Sequence, residues 1–103
     1  MPPLTASDKK QLRSIGHKLH PVVTLGDKGL SDGVAQELER ALEDHELIKV
    51  KVNAGDPGER RELIAALCEG ASAELVQAIG KIALLYRPAK KPDPRLSNLL
   101  RPL

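Results

Sequence analysis

The sequence predicts an α/β domain with the order helix-strand-helix-strand-helix-strand-strand. Its expected form is a mixed sheet of about four strands with helices packed on one face. Two observations carry this. Segments with helical apolar periodicity alternate with short β-branched runs, and Leu47-Ile48-Lys49-Val50-Lys51-Val52 alternates apolar with charged residues at the strand period. A third is the punctuation: N-cap residues precede the helical stretches and glycines follow them.

The first helix is expected from Ala6 to Ile15, with Thr5 as its cap and Asp8 as the capping-box partner. Leu12, Ile15 and Leu19 share one face, and Gly16 reads as the stop. The run Pro21-Val22-Val23-Thr24-Leu25 is a strand that ends at Gly26. Asp27-Lys28 form a tip before Gly29, and Ser31-Asp32 offer cap chemistry for a second helix reaching Asp44. Val34, Leu38, Ala41 and Leu42 make the buried stripe of that helix. Its outer side carries Glu37, Glu39, Glu43 and Asp44 and should repel phosphate.

In the strand Leu47–Val52, Lys49 and Lys51 give the wet face, which stays open if the helices cover the other. Asp56-Pro57-Gly58-Glu59 combines an N-cap Asp, a first-turn Pro and an acidic third position, and Gly70 is expected to end the third helix. Glu74–Ile79 and Ile82–Tyr86 read as a hairpin around Gly80-Lys81. After Arg87 the prolines 88, 92, 94 and 102 interrupt any regular element. Residues 4–87 are therefore taken as the domain, and residues 88–103 as a flexible, basic, Pro-rich tail.

The chain of 103 residues is one domain's worth, with a formal charge of +2 and a single cysteine, Cys68, so no internal disulfide framework is available. No apolar run reads as a signal core or a membrane span, and a cytoplasmic protein without a membrane partner is expected. Phe and Trp are absent and Tyr86 is the single aromatic, which leaves aliphatics to fill the core. That also argues against sheet readers that stack bases on aromatic rings.

The chemistry points to phosphate. A Gly-x-x-Gly loop between a strand and a helix lets a backbone approach a ligand closely, next to the positive end of the helix dipole. Such a loop also serves as a plain turn, so the surrounding charge matters. Lys9, Lys10, Arg13 and His17 fall in one arc of the first helix; Lys18 and His20 lead to the strand, and Lys28 sits at the loop tip. The expected RNA-contacting set is Lys9, Lys10, Arg13, Lys18, His20, Gly26, Asp27, Lys28, Gly29, Lys49, Lys51 and Arg87. Enzyme signatures are missing. His17-x-x-His20 lacks companion ligands, Cys68 lies on an apolar helix side, and no nucleophile elbow or nucleotide-binding glycine motif occurs. No catalytic residue, metal or cofactor is expected. A KH domain fits poorly, because its Gly-x-x-Gly loop joins two helices.

The stretches Pro21-Val22-Val23 with Gly26-Asp27-Lys28-Gly29-Leu30, His45-Glu46-Leu47 through Val52, Ile79-Gly80-Lys81, and Leu84-Leu85-Tyr86-Arg87 together resemble the CRM domain, the chloroplast RNA splicing and ribosome maturation module, in its bacterial stand-alone YhbY-like form. That resemblance implies a fold similar to the C-terminal domain of translation initiation factor three. It implies RNA binding through Gly26-Asp27-Lys28-Gly29 and nearby basic surface, and association with large-subunit rRNA precursors or pre-ribosomal particles. A departure is His20, where the family commonly has Lys before Pro. The function expected is that of a monomeric, non-catalytic RNA-binding protein of ribosome assembly. The alternative is a protein-interaction or translation-factor-like adaptor using the open sheet face and the tail.

Overall fold

A computed structural model describes residues 4–26, 29–53 and 55–102. It contains α1 (Ala6–Gly16), β1 (Pro21–Leu25), α2 (Asp32–His45), β2 (Leu47–Val52), α3 (Pro57–Ala71), β3 (Glu74–Ile79) and β4 (Ile82–Tyr86). The four strands form one sheet in the order β1-β2-β4-β3. β1 and β2 run parallel, joined by α2 as a crossover, and the other pairs are antiparallel, so the sheet is mixed as expected.

The caps hold as the sequence dictates. Thr5 and Asp8 exchange two 3.0 Å bonds at the start of α1. Ser31 Oγ accepts from Val34 N–H, and Asp56 Oδ1 accepts from Glu59 N–H with Pro57 opening α3. Gly16 is the last residue of α1, as expected, and it is buried; a Cβ there would meet Leu84 Cδ2 at 2.7 Å, so a glycine also lets helix and sheet touch. Gly70 does not end α3, which runs one residue further to Ala71 and is capped by Ser72 in the left-handed conformation (φ 54°).

The placement of all helices on one face needs correction. Val23, Leu25, Ile48, Val50, Val52, Ala83 and Leu85 pack with α2 and α3 in one core. Leu47, Val76 and Leu84 point to the opposite side and pack with Leu12 and Leu19. α1 therefore covers part of the Lys49/Lys51 face. The two lysines of β2 left Leu47 of the same parity as a core residue, and one apolar stripe on α1 suffices to bury it.

The tail is the second correction. Residues 88–102 are docked, although they form no regular element. The organiser is Glu46, 5 % exposed and with φ 62°, a costly conformation for a non-glycine residue. Its carboxylate accepts from Ala89 N–H (2.9 Å) and from Ser97 Oγ (2.8 Å). Asn98 Nδ2 donates to Leu47 O at 2.7 Å, Asn98 N–H donates to His45 O, and His45 Nδ1 donates to Leu96 O. Leu99 packs on the α1 core. Prolines exclude helix and strand here, but they do not prevent side-chain anchoring.

Candidate nucleic-acid interface

β1 delivers its C-terminal end to Gly26. The chain then turns back, with Gly29 N–H donating to Gly26 O at 3.0 Å, and enters α2 through Ser31. Gly29 adopts φ 65°, the region that favours glycine. Gly26 does not: its φ is ordinary and no described residue lies within 4 Å of where its Cβ would be. Among the described residues nothing demands glycine at position 26, and none of them fills the space where its Cβ would be. Asp27 and Lys28, expected at the tip, lie outside the described residues.

Register builds the surroundings of the loop. Thr24 pairs with Lys51, Lys51 with Ile82, and Ile79 with Ile82, so one row of four residues crosses the sheet just below Gly26. Val52 N–H donates to Lys81 O at 2.7 Å, which fixes the Gly80-Lys81 turn at the same end. Lys51 and Lys81 are exposed, and neither enters an ion pair among the described residues. Lys49, partly buried, is one row further from the loop, paired with Leu84. Gly16 touches Leu84, and by helical spacing Lys9 and Arg13 lie on the Gly16 side of α1. Lys9 and Arg13 are half-buried on that side of the helix. Lys10 points to solvent on the outside of the helix.

Three expected residues fall elsewhere. Lys18 and His20 precede β1, so they are separated from Gly26 by the whole strand, roughly 17 Å for its length. They line a cleft at the far end with His45, Asn98 and Arg101. His20 is therefore not beside the loop, and its replacement of a Lys does not remove charge there. Arg87 is 15 % exposed and turned to the acidic side of α2. It contacts Glu39 at 2.6 Å, Glu43 at 3.6 Å and Ala71 O at 3.1 Å. The Arg87 hydrogen bond holds the Glu39 carboxyl below its usual pKa. Arg87 is a structural ion pair rather than a free cation.

Lys81 is the residue that sequence reasoning missed. The hairpin pattern was visible, but only the β2–β4 register brings its turn beside Lys51. Cys68 packs against the α2/α3 core, and burial, with Glu74 adding, pushes its thiol up to about 11, so it is protonated and a poor nucleophile. No helix among the described residues is long and apolar enough to cross a membrane.

Comparison with known proteins places this geometry. The model of the CRS1 / YhbY (CRM) domain matches residues 4–87. The chain is 52 % identical over 98 residues to a probable RNA-binding protein of Pseudomonas aeruginosa, covering 95 % of this chain and 94 % of that one. It is 44 % identical over 91 residues to an RNA-binding protein of Haemophilus influenzae, covering 88 % and 92 %. A solution structure from Staphylococcus aureus, described as a candidate RNA-binding protein, superposes with a TM-score of 0.76 at 35 % identity, covering 86 % of this chain and 93 % of that one.

Proposed function

The chain belongs to the CRS1 / YhbY (CRM) domain family, and on that premise we propose that it is a non-catalytic RNA-binding protein acting on precursors of the large ribosomal subunit during assembly. The relatives named as RNA-binding proteins support the RNA part of this reading. The observation that carries the site is the space over Gly26 that no described residue fills, at the sheet end that also holds the exposed Lys51 and Lys81. Phosphates of the RNA approach Gly26 and Gly29 at the loop. Asp27 and Lys28, between the two glycines in the sequence, are counted among its contacts, and Lys9, Arg13, Lys49 and Lys51 supply charge along the adjoining surface. Lys10, Lys18 and His20 form flanking contacts for a longer RNA, and Arg87 is left out. The protein acts as a monomer in the cytoplasm, without a membrane partner.

The loop is tested by Gly26→Val. The substituted side chain meets open space at an ordinary φ, so the fold persists, while close approach of a phosphate is blocked. Binding to a large-subunit precursor fragment should fall about tenfold in a gel shift, with an unchanged melting temperature, equivalent to ~1.4 kcal/mol. Unchanged affinity removes the loop from the site. Crosslinking in cells with sequencing of the bound RNA tests the rest. Enrichment of large-subunit precursors is expected; recovery of other RNAs alone overturns the ribosomal part, and recovery of none overturns RNA binding.

A further inference from the structure

We propose that Ile79 and Ile82, next to Lys51 on the uncovered part of the sheet, form a platform for an unpaired base of single-stranded RNA. The inference rests on the RNA-binding reading and extends it from phosphate contact to recognition of strandedness. Ile79 is 66 % exposed, the most exposed large apolar side chain among the described residues. It is not an isolated surface residue: it pairs with Ile82, which pairs with Lys51, and all three point to the same face. With strands roughly 4.8 Å apart, the two isoleucines and the Lys51 stem make a continuous strip about 10 Å across. α1 packs on Leu47, Val76 and Leu84, and neither Ile79 nor Ile82 belongs to that cluster.

The charges beside the strip select its occupant. Lys51 lies within the row, Lys81 lies in the adjoining turn, and the row itself contains no carboxylate. A cation-flanked apolar strip suits a ligand with an apolar face and an anionic backbone. An RNA duplex offers its surface phosphates and 2′-hydroxyls, which gain nothing from isoleucine; an unpaired base offers a flat apolar face while its phosphate meets the lysine. The chain has no Phe or Trp to stack on, and Tyr86 belongs to the α1 core at the other end of β4, so aliphatic side chains have to serve.

The test is a double-mutant cycle between protein and RNA. Ile79→Thr keeps a β-branched residue in the hairpin and removes apolar surface. The probes are a labelled mixed-sequence single strand of about 12 nucleotides, the same strand with abasic sites, and a duplex of equal length. Ile79→Thr should weaken single-strand binding about fivefold, ~1 kcal/mol, with an unchanged salt slope because no phosphate contact is lost. The abasic strand should bind the wild type about fivefold less well and be insensitive to the substitution. Duplex affinity should not change. Equal losses for single strand and duplex, or none while Gly26→Val still weakens binding, overturn the platform and leave the RNA-binding reading standing. A wild type that binds neither form overturns both. If the wild type self-associates in sedimentation and Ile79→Thr abolishes that, the strip is an interface between copies and the base platform is overturned.

Discussion

At the end of the sheet where α2 passes into β2, polar groups are bonded to the protein itself. The buried Glu46 carboxylate accepts from Ala89 and Ser97, the buried Asn98 donates to Leu47 O, and the half-buried His45 donates to Leu96 O. At the Gly26 end, Lys51 and Lys81 are exposed and outside any ion pair of the described residues. Both ends close the same strands. The difference lies in whether charge is satisfied internally, which stabilises the fold, or left to solvent, which leaves it free for a ligand. A charged residue is thus informative about function only after its partners are known: Arg87 and Lys51 look alike in the sequence, and one is an ion pair of α2 while the other faces water.

The largest expected effect comes from ending the chain after Arg87. This removes the partners of Glu46, His45 and Leu47 together with the packing of Leu99. A loss of about 3 kcal/mol or more should appear in denaturant unfolding. A stability within error of the full chain would mean that the docked end contributes nothing and that the two ends do not differ in this way.

Next is Glu46→Gln. It keeps the shape but places an amide donor against Ala89 N–H or Ser97 Oγ, so one buried donor loses its acceptor. About 1–3 kcal/mol of destabilisation is expected, read from the same unfolding curves. RNA affinity of the folded variant should stay at the wild-type level, because the loop end is untouched.

Substituting Lys51→Gln and Lys81→Gln together reverses that pattern. Stability should stay within ~0.5 kcal/mol. The log–log salt slope for single-stranded RNA should flatten by about 1.4, for two phosphate contacts at roughly 0.7 each. A large drop in melting temperature with an unchanged slope would make these lysines structural.

The smallest effect concerns pH at the Arg87 pair. Glu39 has a folded pKa below its unfolded value, so its contribution is fully present above the ordinary carboxylate range and is lost as pH falls through that range to the lower folded value. The Glu39 side chain is 62 % exposed, so solvent screening keeps the contribution small. Comparing acid unfolding of the wild type and Glu39→Gln should show a slightly shallower pH dependence in the variant; identical curves would mean the ion pair adds no stability.

Local signals were legible in the sequence because they act over a few residues. Thr5 with Asp8, Asp56 with Pro57, and the period-two run Leu47–Val52 each fix their element without help from distant parts of the chain. The strand-loop-helix path through Gly26 and Gly29 follows from the same kind of signal. The end of α1 at Gly16 was legible, but the contact with Leu84 that also calls for a small residue there lies in another element. Placing α1 on the second face, docking residues 88–102 through Glu46, pairing Arg87 with α2 and bringing Lys81 and Ile79 beside Lys51 all depend on contacts between segments far apart in the chain. The sequence by itself determined the elements, their order and the glycine loop, since capping and periodicity are short-range. Only the tertiary structure decided which charges remain free beside that loop, because a charge is neutralised by whatever residue the fold brings to it.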